Sequence, residues 1–196
     1  MVKKTFQDPF VKLFGSVTRV RLLRLFLFNP KKTFTASEAS ERVRAPQREA
    51  SRELQILVAA GLLRAGRGAK TRFSVDEHFP YFSSLQQMLL HAPLRGNDVY
   101  SRMRATGVIK LVILAGIFTG EFENRLDLLV VGDRINERRL RTAIKLLEAD
   151  TGAEIHYASL ATPDFQYRLT VSDRLLRDVF DYPHRIVFDK LDMGLK

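Results

Sequence analysis

The sequence predicts an α+β protein made of two unlike parts. Three observations carry this. The N-terminal half holds closely spaced amphipathic helical patterns that end in a glycine-rich hairpin signal. The C-terminal half alternates short apolar runs with helical patterns, which implies a small α/β domain with a mixed sheet. Charge divides at the same place. Residues 1–95 hold 17 Lys+Arg against 7 Asp+Glu, while residues 96–196 hold 15 of each, so the whole net charge of +10 lies in front. The predicted division is 1–91 for the first domain, a linker at 92–97 marked by Pro93 and Gly96, and 98–196 for the second.

Composition narrows the function. With 45% hydrophobic residues in 196, the chain has material for two cores. It has no cysteine, so disulfides, thiolate zinc and iron–sulfur clusters are excluded. No targeting signal is read at the N-terminus. The longest apolar run, Val108 to Phe118, contains Lys110 and is too short to span a bilayer. A cytoplasmic protein with no membrane partner is the expectation.

The front elements follow in order. Asp8 to Phe14 reads as a short helical turn. Ser16 to Phe28 is a strong helix, with Val17, Val20, Leu23 and Leu27 facing inward and Arg19, Arg21 and Arg24 in water. Asn29-Pro30 stops it. Thr35-Ala-Ser-Glu38 is a capping box that opens a second helix ending near Val43. Arg44 and Ala45 make a tight connection, and Ala45 is a poor N-cap.

A third helix then opens, with Pro46 suited to its first position and Gly61 to its end. Leu54, Leu57, Val58 and Leu62 recur at helical spacing, with Ala50 at the edge, and form its apolar face. Gln47, Arg48, Ser51 and Arg52 lie on the other face, toward the N-terminus. These side chains are of the kind that reaches base edges and phosphates. An ordinary amphipathic surface helix would share the apolar pattern; the surroundings favour recognition. Leu62 to Arg64 and Thr71 to Val75 read as two strands around a glycine-rich turn. Arg67, Lys70 and Arg72 on that hairpin can follow a phosphate backbone or enter a minor groove. The basic excess makes a polyanion the simplest partner for this half. An anionic membrane surface is the weaker competitor, because no basic helix here exposes bulky apolar residues.

The order of elements and the string SRELQILVAAGLLRAGRGAKTRFSV resemble a winged helix-turn-helix of the ArsR/MarR-like type. Ser51, Leu54, Leu57, Gly61 and Leu62 match that family's S-x-x-L-x-x-L-x-x-x-G-L pattern, and the likeness covers about residues 10–76. The resemblance implies binding to double-stranded DNA, with the third helix in the major groove and the hairpin as the wing. Glu77 to His91 reads as a further helix with Phe79, Phe82, Leu85, Met88, Leu89 and Leu90 in a wide apolar stripe. Such a stripe is most often core; in the family this helix often pairs across a homodimer.

In the rear half, Asp98 to Ala105 reads as a helix and Val108 to Leu114 as a buried strand. Leu126 to Val131 is a second strand, and Asn136 caps a helix to about Glu148. Ala153 to Leu160 is a third strand. Thr162-Pro163 opens another helical piece, Ser172 caps a helix through Phe180, and Ile186 to Phe188 closes the domain. A strand, a Gly116-to-Gly120 loop and a strand carrying Leu-Asp-Leu-Leu-Val resemble the minimal nucleotidyltransferase fold. Active members carry Gly-Ser at the start of the loop and an Asp-x-Asp pair that holds two divalent metals. Here those positions read Gly116-Ile117 and Arg125-Leu126-Asp127. A guanidinium in place of a carboxylate repels a cation, by roughly 4 kcal/mol per unit charge pair at contact distance under surface-like screening.

The resemblance therefore implies a degenerate domain without catalysis, without a metal and without a cofactor. Gly116, Arg125 and Asp127 mark its vestigial site, and its remaining use is sensing a nucleotide or binding a protein. The alternative is an active nucleotidyltransferase of toxin–antitoxin type, targeted by the winged helix. His78, His91, His156 and His184 show no metal-binding spacing, and neither a nucleophile elbow nor a phosphate-binding lysine loop is present. The function expected is that of a DNA-binding transcriptional regulator.

Overall fold

The computed structural model describes residues 8–68, 70–90, 96–120 and 125–192. The chain divides into two compact units. One comprises Met1–Ala92 with Glu148–Glu154, the other Pro93–Leu147 with Ile155–Lys196. Of the expected linker, residues 92–95 lie outside the described residues, and Gly96 and Asn97 already belong to a helix.

The first unit opens with α1 (Pro9–Phe14), capped by the Asp8 side chain, and α2 (Val17–Leu27), capped by Ser16. Strand β1 (Phe34–Thr35) leads into α3 (Ala36–Val43), whose N-terminus carries the complete Thr35/Glu38 capping box. Helix α4 (Gln47–Ala59) follows, then the hairpin of β2 (Leu63–Ala65) and β3 (Arg72–Val75), then α5 (Phe82–Leu90). The small antiparallel sheet has the order β1-β3-β2, with Phe34 opposite Phe73 and Leu63 opposite Val75. Leu22, Phe26, Leu27, Leu54, Leu57, Phe73 and Leu89 share one core beneath these elements, with Phe26 and Phe34 edge to face at 5.5 Å.

Several local readings change. Val17 is exposed, because α2 turns it away from the core at its first residue. Arg24 is buried, not in water: its guanidinium meets Asp8 Oδ2 at 2.7 Å and donates to the Asp150 carbonyl. Arg21 pairs with Asp150 and donates to the Val43 carbonyl, and the Asn29 amide donates to the Gly152 carbonyl. Helix α5 starts at Phe82, since Asp76 to Phe82 is a pair of tight turns, and Met88 of the expected stripe is exposed.

The second unit contains α6 (Gly96–Met103), β4 (Val108–Leu114), β5 (Leu128–Asp133), α7 (Glu137–Thr151) up to Leu147, its last residues belonging to the first unit, β6 (Tyr157–Leu160), α8 (Thr162–Thr170), α9 (Arg174–Phe180) and β7 (Arg185–Asp189). The four-stranded sheet has the order β6-β5-β4-β7 and is mixed: β5 and β6 run parallel, and the other pairs antiparallel. Side chains alternate across it. Val112, Leu114, Leu128 and Val130 pack with residues of α6 and α7, while Leu111, Ile113, Leu129 and Val131 pack with Phe165, Leu176 and Val179 of α8 and α9. Burial on both faces explains why residues 111–114 of β4 and 128–131 of β5 read as unbroken apolar runs. Asn136 caps α7 as expected, but Asp173 rather than Ser172 caps α9, and Leu126 and Asp127 precede β5 rather than open it. Among the described residues, no helix is long and apolar enough to cross a membrane.

Candidate nucleic-acid interface

Helix α4 is fixed at both ends and from behind. The turn before it is set by Arg44 in the left-handed region (φ 54°) and by Ser40, whose hydroxyl donates to the Ala45 carbonyl at 2.8 Å. Pro46 is the N-cap, one position earlier than expected, and makes no side-chain cap. At the far end Gly61 takes φ 80°. Its N–H donates to Val58 O, and Leu62 N–H donates to Leu57 O, which is a Schellman closure. Leu57 and Leu62 meet in the core beneath that closure.

Two acids on α4 anchor it to α2. Glu49 accepts from the Thr18 hydroxyl at 2.6 Å, and Glu53, with only 1% of its side chain exposed, meets Arg19 Nε at 2.7 Å. Arg19 also donates to the Phe14 carbonyl. The sequence reading placed Arg19 in water and did not single out Glu53. A charge on the inward arc of a helix, between Ala50 and Leu54, was the available signal.

With that arc buried, about 100° of turn per residue brings Arg48, Arg52 and Gln55 to the opposite side and Gln47 and Ser51 to one flank. Arg48 and Gln47 are exposed, and the Arg52 side chain is 74% exposed. Gln47, Ser51 and Gln55, one turn apart, line an open depression of about 450 Å³ together with Thr35, Ser37, Lys70, Thr71 and Phe73. The depression is thus walled by the start of α3, one side of α4 and the hairpin. Of the seven residues expected to contact DNA, Gln47, Ser51 and Lys70 share it. Arg48 and Arg52 stand on the solvent side of α4, and Arg67 is exposed on the hairpin turn. Gln55 and Ser37 were not singled out from sequence; the i, i+4, i+8 polar series on α4 would have found Gln55.

Arg72 sits differently from the other cations. Its Nε donates to Thr33 Oγ1 at 2.8 Å, one terminal nitrogen donates to the Thr33 carbonyl, and that nitrogen lies 3.2 Å from Glu38. It ties the hairpin to the start of α3. Glu38 is held below its usual carboxylate range, first by the Thr35 backbone N–H; burial opposes this, and the Arg72 guanidinium and the Thr35 hydroxyl add to the lowering. At the other strand, burial raises the Asp76 carboxyl, but the His78 N–H and the Arg64 guanidinium together outweigh it and hold the group low.

In the second unit, Asp127 is buried with 2% exposure. Its Oδ1 accepts the Ile117 N–H at 2.9 Å and its Oδ2 accepts the His156 N–H at 2.8 Å, with His156 Nδ1 at 3.3 Å from the same oxygen. Both carboxylate oxygens therefore bind neighbouring backbone. Gly116 has φ 51°, and a Cβ there would fall on Asp127 Oδ1. Arg125 is exposed, and residues 121–124 before it lie outside the described residues. No group of three or more His, Asp or Glu side chains is placed to hold a metal ion among the described residues.

Residues 14–64 match the family model of a helix-turn-helix domain. That span covers α2, β1, α3 and α4 and ends in β2. No curated protein and no solved structure matches the chain.

Proposed function

We propose that the chain is a sequence-reading, DNA-binding transcriptional regulator of winged helix-turn-helix type. The observation that carries the reading is the coincidence of a helix-turn-helix match with α4 presenting Arg48, Arg52, Gln47, Ser51 and Gln55 beside a basic hairpin. Gln47, Ser51 and the two arginines read base edges in the major groove. An arginine on a guanine contributes roughly 1–3 kcal/mol of discrimination. Lys70 and Arg67 serve the phosphate backbone, and Arg72 positions the hairpin. A homodimer would set two such helices in successive major grooves, about 34 Å apart. Tyr81 and Met88, exposed beside and on α5, support that helix as the pairing element.

The second unit serves in this proposal as a nucleotidyltransferase-like domain without catalysis, kept for sensing a ligand or binding a protein. Its α6–β4–β5–α7–β6 order and the enclosure of Asp127 by backbone N–H groups support this reading. Backbone N–H groups take two of about four lone-pair sites of the carboxylate, and at 2% exposure Asp127 presents almost no surface to an incoming metal ion. Transfer of label from a nucleoside triphosphate by the wild-type chain, with magnesium or manganese, would overturn it. The DNA reading is tested by fluorescence anisotropy on the duplex upstream of the chain's own coding sequence. The Arg48→Ala, Arg52→Ala variant should bind at least tenfold more weakly than wild type at equal salt. Equal binding refutes the assignment of α4.

A further inference from the structure

The zero net charge of the rear half conceals a local excess. Residues 138–147 of α7 hold Arg138, Arg139, Arg141 and Lys145 and no acid. The helix buries Leu140, Ala143, Ile144 and Leu147 against the sheet. Helical geometry then sends Arg138, Arg141 and Lys145 to the opposite side, and all three are exposed. None of them forms an ion pair among the described residues.

Within this stretch, bounded by Glu137 and Glu148, folding gives no reason for the run of like charge. Like charges three and four residues apart destabilise a helix by a few tenths of a kcal/mol per pair, and alternating signs would be the stabilising choice. A polyanion gives a reason. Arg138 to Lys145 covers about 10 Å of helix axis, which corresponds to about three phosphates along one strand of a duplex. An anionic lipid surface fits less well, because the other exposed residues of this stretch are Arg139 and Thr142, and no bulky apolar group accompanies the cations.

We infer that the exposed face of α7 is a second phosphate-backbone contact for duplex DNA, formed by Arg138, Arg141 and Lys145. The inference rests on the proposed DNA-binding function of the chain. It assigns this face affinity without base recognition, so its removal weakens binding equally on all sequences.

The test uses the full chain and a random-sequence duplex, with affinity measured from 50 to 300 mM salt. The variant Arg138→Gln, Arg141→Gln, Lys145→Gln should flatten the log–log salt dependence by about 2–3, near 0.9 for each phosphate no longer neutralised. A second variant, Arg138→Lys with Arg141→Lys, keeps the charge and should keep the slope. Thermal melts of both should match wild type, since all the changes are on an exposed face. An unchanged slope in the glutamine variant overturns the inference and leaves the α4 reading standing. No duplex binding by wild type, even at 50 mM salt, overturns both. If phosphatidylserine vesicles bind wild type but not the glutamine variant while the DNA slope is unchanged, the face belongs to a membrane surface instead.

Discussion

Removing Arg19 should unseat α4 without touching any residue proposed to face DNA. The Glu53 carboxylate is all but sealed from water, and Arg19 Nε at 2.7 Å is its near partner. Arg52 approaches the other oxygen only to 3.7 Å, beyond hydrogen-bond range. Breaking a buried ion pair from one side costs about 3–5 kcal/mol. The Arg19 side chain is 28% exposed, so water can enter where it stood, and the expected cost of Arg19→Ala falls to about 2–3 kcal/mol. For a unit of this size that is a fall of about 10–20 °C in midpoint. Thermal unfolding followed by circular dichroism reads it, as the transition that α2 and α4 share. Replacing both partners, Arg19→Met with Glu53→Leu, should return most of the stability, because no charge is then left buried. If Arg19→Ala melts within about 2 °C of wild type, the Arg19–Glu53 pair does not hold α4 in place.

Other expectations follow from single positions. Gly116→Ala would put a methyl group on Asp127 Oδ1 at a backbone angle that L-residues rarely adopt, so the second unit should lose about 2 kcal/mol or more. Urea denaturation of the two variants Gly116→Ala and Gly120→Ala separates these causes, since among the described residues nothing lies within 4 Å of a Cβ at Gly120 and the φ effect remains there. Glu38 has a carboxyl held below its ordinary value of 4.5. Its contribution is fully present above that value and is lost as pH falls through the lower folded value. Glu38→Gln should therefore narrow the gap to wild type as the medium is acidified below 4.5, read by melts across that window.

Much of this architecture could be read from residue order. The Thr35–Glu38 box, the Asn136 cap and the apolar runs of β4 and β5 are local signals, and local signals survive into the fold. The misread side chains of charged residues share a cause: their partners are distant in sequence. Arg24 looked solvated because its acid, Asp8, lies on another element, and Glu53 was passed over because Arg19 is 34 positions away. Arg72 looked like a free hairpin cation until Thr33 and Glu38 were seen against it. Asp127 shows the same limit. The nucleotidyltransferase resemblance drew attention to it, but only the fold shows that each of its oxygens accepts a backbone N–H, from Ile117 and from His156. Gln55 was a different omission, a residue on the right stripe whose period was not carried one turn further.

The central claim is that α4 and the hairpin read a specific duplex. Selection of bound sequences from a random duplex pool by the full-length wild-type chain tests it directly. A recurrent motif should emerge, and its information should collapse when selection is repeated with Arg48→Ala, Arg52→Ala. A pool that stays random with wild type, or the same motif from both proteins, would contradict the claim.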